Sequence, residues 1–330
     1  MTRMRKDVSH FSGKLAVCTF GLSFLAGAAS KFLIKPAWSE KYRVKWNDNL
    51  GTLQTNLSYG EGEANVFDLY LPREKNRSRY GLAVYLHGGG FTSGDKSDDK
   101  GILSWLCSKG YVAAGINYTL RDENHPTASI FSQSEEIKAA VPKVIEAARA
   151  AGYPIDRMTV AGGSAGHTLA MLYAYRDGRE APVPVVFTFG GVGPSCFYRE
   201  DWKCYGLDQN TLESEQAARD LFGAMLGQKL SLDEIKSGSY LEKMKPVSAA
   251  DWVSHNPVPT AVAYGKYDRI QPFQASLRLK KALEDNQIDH VYLEFPHSGH
   301  GLQNDDAMSK KWMEAIESRL DFYMPLNEGM

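Results

Sequence analysis

Short apolar runs recur along this chain, separated by longer amphipathic stretches. Ala64-Asn-Val-Phe-Asp-Leu-Tyr-Leu71 alternates with period two and predicts a half-buried strand. Leu82-Ala-Val-Tyr-Leu86, Tyr111-Val-Ala-Ala-Gly-Ile116, Met158-Thr-Val-Ala161, Pro184-Val-Val-Phe-Thr-Phe189, Thr260-Ala-Val-Ala-Tyr264 and Val291-Tyr-Leu-Glu-Phe295 are apolar enough to be strands in their own right. Helical spacing marks Glu135 to Ala151, with Pro142 as a possible kink, and a segment from Ala165 to about Tyr175. Between about Val192 and Pro257 strand signals are weak. Glu213 to Leu226 favours a helix there, and Ser231 followed by Glu234 reads as a capping box. Pro36 to Gly60 mixes polar and aromatic residues and is expected to cover a sheet edge or rim a site.

Length allows one large α/β domain with a substantial core, or two small ones: the chain has 330 residues, 43% hydrophobic and 23% charged. A net charge of −1 gives no reason to expect a nucleic-acid partner. Cys18, Cys107, Cys196 and Cys204 show no metal-ligand spacing, so no metal site is expected. Cys107 lies in an amphipathic run and reads as a buried small hydrophobe. Cys196 and Cys204 either close a short disulfide loop, if the domain is exported, or stay free.

Chemistry concentrates at the ends of the apolar runs. Gly162-Gly-Ser164-Ala-Gly166 spells G-x-S-x-G between a strand and a helix. A serine in so sharp a turn is presented out of the sheet, and the turn requires small neighbours. Taken alone, the pentapeptide is also compatible with a glycine-rich turn and a serine N-cap. His87-Gly-Gly-Gly90 follows another strand, where backbone N–H groups of Gly88, Gly89 and Gly90, with that of Ala165, are placed to stabilise an oxyanion. No phosphate-loop ending follows the glycines. His87 itself is expected to order the loop.

A serine needs a base, and the base needs an orienting carboxylate. Asp268 follows the Thr260 strand and His300 follows the Val291 strand, both at C-terminal strand ends where α/β sheets gather their sites. His297 competes with His300, but the Gly299-His300-Gly301 setting favours the latter. Among the acids, Asp289 and Glu294 read as solvent-facing, and Asp305 and Asp306 as residues at a helix N-terminus. Phe91, Tyr118 and His167 are expected at the substrate; for His167 a satisfied place in a packed helix competes.

His87-Gly-Gly-Gly90-Phe91, Gly162-Gly-Ser164-Ala-Gly166, Asp268 and His300, in this order, resemble the α/β-hydrolase superfamily, and within it the hormone-sensitive-lipase-like and feruloyl-esterase-like carboxylesterases. The resemblance covers roughly residues 50–325. It implies a mostly parallel eight-stranded sheet with helices on both faces. It also implies ester hydrolysis through an acyl-serine, with no cofactor and a small-molecule ester as partner. Asn117-Tyr-Thr-Leu120 departs from the family's pattern at Thr119. Gly163 stands where lipase-like members often carry Asp, which leans toward the feruloyl-esterase, prenylcysteine-methylesterase and arylformamidase side. An arylformamidase or small amide hydrolase on the same three residues is the rival activity, and a non-catalytic binding protein of this fold the rival class.

The resemblance also makes residues 195–257 a helical lid insertion. Phe197, Tyr198, Trp202, Phe222 and Met225 would then wall the acyl pocket, unless they only fill the insertion's own core. At the other end, Arg3, Arg5, Lys6 and Lys14 precede an uncharged stretch, Leu15 to Ser30, with Ala26-Gly-Ala28 as a small-residue cleavage pattern. Residues 1–35 therefore read as a signal peptide or an uncleaved N-terminal anchor, with a soluble amphipathic arm as the third reading. Either of the first two puts the hydrolase domain, residues 36–330, outside the cytoplasm, with membrane contact only through an uncleaved segment.

Overall fold

A computed structural model describes residues 36–326. The expected leader or anchor, residues 1–35, lies outside them. Eight strands, β1 (Gly51–Ser58), β2 (Val66–Pro72), β3 (Tyr80–Leu86), β4 (Val112–Ile116), β5 (Ile155–Gly163), β6 (Val185–Gly191), β7 (Thr260–Gly265) and β8 (His290–Phe295), form one sheet in the order β1-β2-β4-β3-β5-β6-β7-β8. From β4 to β8 all neighbours run parallel, and β2 is antiparallel to both β1 and β4. The helices are α1 (Lys100–Ser108), α2 (Ile130–Ala150), α3 (Ala165–Leu172), α4 (Leu212–Leu226), α5 (Leu232–Ser237), α6 (Tyr240–Met244), α7 (Phe273–Asp285) and α8 (Asp306–Tyr323). This is the mostly parallel, doubly covered sheet of the α/β-hydrolase fold, as the sequence led us to expect.

Both sheet faces are buried, which explains why the strands read as apolar runs rather than as alternation. Leu82, Val84 and Leu86 of β3 pack with α2 and α3, while Ala83 on the other face joins Trp105 and Leu106 of α1. Ile316 and Leu320 of α8 cover Phe187 and Phe189 of β6 on that same second face. Burying each large aliphatic or aromatic side chain contributes about 1.5–3 kcal/mol. A one-residue slip of β3 would exchange its two faces and forfeit several such contributions, so the register is firmly set.

From β3 the chain passes to β4 on one side, then returns to β5 on the other. The segments leaving β3 and β5 therefore part company at their C-terminal ends and open a crevice at this topological switch point. His87-Gly-Gly-Gly90 and Ser164 flank it.

Several elements differ from the sequence reading. β1 was foreseen only as part of a lead-in; it is the edge strand, and its hydrophobic alternation is broken by a bulge. Asn56 there has φ 56°, and its N–H donates to Asp68 Oδ1 at 2.9 Å. α2 begins at Ile130 rather than Glu135, because Ser129 and Ser132 cap it reciprocally. It then runs through Pro142 to Ala150. Beyond Leu172 the elbow helix widens into a π turn over Tyr173–Asp177. The capping box of Ser231 and Glu234 forms as expected at α5.

Ahead of β1, a 3₁₀ turn (Ala37–Tyr42) is pinned to α8. Glu317 accepts from Lys41 at 2.6 Å, Tyr42 at 3.0 Å and Lys109 at 3.0 Å. Partial burial opposes ionisation of Glu317, yet these donors hold its carboxyl at about 2. A depressed folded value means stability that is present above the unfolded value and lost as pH falls toward the folded one. Glu317→Gln is therefore expected to lower stability at pH 7 by about 1–2 kcal/mol, allowing for solvent screening. The difference from wild type should vanish as urea midpoints are followed from pH 5 down to about 2.

Candidate active site

β5 ends at Gly163, and Ser164 takes φ 53° and ψ −121° before α3 begins. A left-handed φ on a residue with a side chain is strained by roughly 1–3 kcal/mol and persists only where its surroundings enforce it. Here close backbone approach enforces it. A Cβ on Gly166 would lie 1.9 Å from Leu86 O, and one on Gly162 would lie 2.4 Å from the carbonyl carbon of Gly166. The Ser164 N–H donates to Gly191 O at 2.9 Å, tying the turn to β6. Gly163 differs from its neighbours: a Cβ there would meet nothing nearer than the Tyr85 hydroxyl, at 3.6 Å.

The structure joins Ser164, His300 and Asp268 into one hydrogen-bonded chain. His300 Nε2 lies 2.8 Å from Ser164 Oγ, and His300 Nδ1 lies 2.8 Å from Asp268 Oδ2. The second carboxylate oxygen of Asp268 accepts from the N–H groups of Ile270 at 2.8 Å and Gln271 at 3.0 Å. Asp268 is thus fixed by backbone, and its side chain is wholly shielded from solvent. With Nδ1–H donated to that carboxylate, Nε2 faces the serine hydroxyl as an acceptor. The acids weighed as competitors lie elsewhere. Asp289 bonds Arg319 and Tyr323, Asp306 accepts from Trp38, and Asp305 holds His297, whose ring is turned to solvent.

On the other side of the serine stands the glycine loop. A Cβ on Gly88 would be 3.0 Å from Gly163 O and 3.5 Å from Ser164 Cβ. Gly89 and Gly90 have φ 119° and 64°, values reserved largely for glycine. The carbonyl of Gly89 turns inward and accepts from the N–H groups of Thr92 and Ser93. Among the described residues, the N–H groups of Gly88, Gly89 and Gly90 have no backbone acceptor in the turns and loops. Ala165 contributes the first N–H of α3, which no side chain caps.

The three residues expected at the substrate, Phe91, Tyr118 and His167, are all buried. His167 is fully buried, with Nδ1 accepting from the Gly193 N–H at 3.2 Å and its ring against Gly190 of β6; burial pushes it down to about 3. Tyr118 is buried as well: its ring stacks on His87 with centroids 4.3 Å apart, and its hydroxyl donates to His87 O at 2.8 Å. Phe91 packs into the main core and meets the loop's supports through its carbonyl, which accepts from Arg121 N–H and from Gln133 Nε2. His87 orders the loop as expected, its Nδ1 lying 2.8 Å from Gly88 O.

Gln133 and Glu136 were missed in the sequence, where they are ordinary polar positions of a helix. Gln133 Nε2 binds the carbonyls of both Phe91 and Thr119, and Glu136 accepts from the Thr119 N–H at 2.8 Å. α2 thereby holds the two segments behind the glycine loop. Its buried position and capped start were the only available signals, and neither shows in a helical pattern alone.

Cys196 and Cys204 are not bonded. Cys196 is buried with Sγ 3.4 Å from Ala275 O, and Cys204 is exposed with Sγ 3.5 Å from Arg269 O. Cys107 is buried, as anticipated. Within residues 195–257, Phe197, Trp202 and Phe222 pack on one another and Phe222 stacks on Tyr240, and all four rings belong to the same hydrophobic core as β3, α2 and α3. Tyr198 lies under the Arg278 guanidinium, and Met225 is half-buried against the core. The same segment also touches the loop of Asp268, with Tyr205 donating to Ile270 O at 3.0 Å.

Residues 67–283 match the family model BD-FAE. Esterase LipI of Mycobacterium tuberculosis (strain ATCC 25618 / H37Rv) is 34% identical over 107 residues, about a third (32%) of each chain. In structure, the chain is similar to an inhibited esterase B from Lactobacillus rhamnosis, with TM-score 0.63 and 16% identity over 92% of this chain and 95% of that one. It is also similar to a thermophilic esterase from the Planctomycetes species Thermogutta terrifontis, with TM-score 0.63 and 17% identity over 88% and 100%. At such identities the structural likeness is one of fold.

The glycine geometry separates two substitutions that look alike in sequence. Gly166→Ala is expected to lower stability by at least about 3 kcal/mol, because its methyl group would overlap a backbone carbonyl that cannot withdraw. Gly163→Ala should stay within about 1 kcal/mol of wild type, since its methyl group would make only an ordinary van der Waals contact, with the Tyr85 hydroxyl. Urea unfolding of the two variants checks this; equal losses would contradict the close approach assigned to Gly166.

Proposed function

The chain belongs to the BD-FAE family, and from that premise we propose that it hydrolyses carboxylic esters of small or medium size through an acyl-serine intermediate. The observation that carries the reading is the His300 imidazole bridging Ser164 Oγ and Asp268 Oδ2, at 2.8 Å each. Esterase LipI and the two esterases similar in fold supply the substrate class by analogy.

In this mechanism Ser164 Oγ attacks the ester carbonyl while its proton passes to His300 Nε2. Asp268 steadies the imidazolium and keeps the ring in the orientation that leaves Nε2 toward the serine. Negative charge gathers on the former carbonyl oxygen. The N–H groups of Gly88, Gly89, Gly90 and Ala165 are the available donors, and each aimed donor of this kind is worth about 3–4 kcal/mol of transition-state stabilisation. His300 then returns the proton to the departing alcohol. Water repeats the attack on the acyl-enzyme with His300 as base, freeing the acid and Ser164. The strain at Ser164 serves this chemistry, because a serine held at φ 53° needs little rearrangement to reach the carbonyl.

Ser164→Ala should lower kcat on p-nitrophenyl butyrate by roughly 10⁴-fold or more, with the melting temperature nearly unchanged. Asp268→Asn should cost about 10³–10⁴-fold by admitting the wrong imidazole tautomer. A fluorophosphonate probe should label wild type at Ser164 and leave Ser164→Ala unlabelled. Undiminished esterase activity in the alanine variant refutes the assignment. N-formyl-aryl amides turned over faster than the ester would shift the reading to amide hydrolysis.

A further inference from the structure

We propose that Asp305 is a positioning residue for His300, acting through Ser298 and His297. The inference rests on the hydrolase reading above. His300 stands on a short arc between β8 and α8, and the two ends of that arc are fastened to each other rather than to the sheet alone. Asp305 takes the N–H of His297 on Oδ2 at 3.0 Å, the ring Nδ1 of His297 on Oδ1 at 2.7 Å, and the hydroxyl of Ser298 on Oδ2. Ser298 Oγ in turn accepts from the Asn304 N–H at 3.0 Å, and Asn304 Nδ2 donates to His297 O at 2.9 Å. Residues 299–303 are left as a loop pinched at its base, with His300 on it.

The same clamp reaches the acid. The carbonyl of Ser298 accepts from the Tyr267 N–H at 2.9 Å, one residue before Asp268. A Cβ on Gly265 would lie 2.2 Å from Gly299 O, so the backbones following β7 and β8 are in direct contact there. Ser298 is completely buried, and the Asp305 side chain keeps only 4% of its surface. Burial works against a charge on Asp305, and the donors from Ser298 and His297 outweigh it, holding the carboxyl below its ordinary range. Removing this carboxylate leaves the buried Ser298 hydroxyl and the His297 N–H without the partner they have here. His297 and Asp305, which in the sequence competed for the roles of base and acid, thus form a second Asp–His pair. Its ring faces solvent and its carboxylate faces the loop, so it has no access to Ser164.

The arc sets where the imidazole stands. Nε2 must stay within about 3 Å of Ser164 Oγ to take the proton. A displacement near 1 Å of a reacting group can cost about 100-fold in rate. Loss of the clamp should therefore slow proton transfer while leaving the binding surfaces in place.

The test uses Asp305→Ala and Ser298→Ala in the full chain, with p-nitrophenyl butyrate turnover and the rate constant of fluorophosphonate labelling at Ser164. For Asp305→Ala, kcat should fall roughly 10- to 100-fold with KM within about twofold, and the labelling rate should fall by the same factor. Ser298→Ala keeps the carboxylate but loses the link to Asn304, and should lose about 5- to 20-fold in kcat in the same pattern; it serves if the aspartate variant does not fold. A lowered melting temperature with kcat and labelling rate unchanged per folded molecule, in either variant, reduces Asp305 to a structural anchor and overturns the proposal. Wild type that neither turns over esters nor labels at Ser164 overturns the hydrolase reading itself. Active wild type with undisturbed variants overturns only the clamp.

Discussion

The close approach of two backbones at the end of β5 governs this molecule. Gly166 lies so near Leu86 O that α3 and β3 touch main chain to main chain. That contact forces the turn, the turn forces Ser164 into a left-handed φ, and the serine is thereby lifted above the sheet. A side chain on Gly166 would push α3 away, and with it the N–H of Ala165. The same crowding brings the glycine loop after β3 against Gly163 O. The positions of Ser164 and of the glycine loop are therefore set by a single packing constraint rather than by two independent ones.

The rest of the fold supplies the rigidity that makes the constraint hold. A sheet buried on both faces cannot shift its register without exposing side chains on each side. The tips of β3, β5, β7 and β8 are accordingly fixed relative to one another. The loops that leave those tips carry the glycine donors, Ser164, Asp268 and His300. Loops are the mobile parts of most proteins; here polar anchors restrain them. Gln133 holds the segment behind the glycines, Asp268 is bound by two backbone N–H groups, and Asp305 ties the base of the His300 loop.

Much of this was legible beforehand, and the reason is physical. The central strands β3 to β7 are largely buried on both faces and so stand out as apolar runs, and β2 stands out by its alternation. The glycines at 89, 162 and 166 are dictated by backbone geometry, since a Cβ at any of them would overlap neighbouring main chain. Asp268 and His300 were legible as hydrogen-bonding partners beside Ser164 because chain order and strand ends limit where such a pair can stand. What escaped was set by tertiary context. β1 is an edge strand with a bulge, so its alternation is broken. Phe91, Tyr118 and His167 stand beside the site in sequence and are buried in the fold, and adjacency in sequence carries no information on burial. The cysteines at 196 and 204 are close in number, but each thiol faces a carbonyl of the 269–275 segment instead of the other.

The residues that escaped share one property. Gln133, Glu136, Ser298 and Asp305 are polar, lie within or beside regular elements, and act on backbone groups of a neighbouring loop. A helical pattern treats such positions as solvent-facing, and composition cannot distinguish them from surface residues. Burial gives away Gln133, Ser298 and Asp305. A buried amide or carboxylate must find partners, and in this fold the partners still unpaired are the N–H and C=O groups of the loops that cross the sheet's C-terminal edge. The need to satisfy those groups thus selects which polar side chains are drawn inward. The same bonds that make burial tolerable hold the loops that bring Ser164, His300 and the glycine donors together.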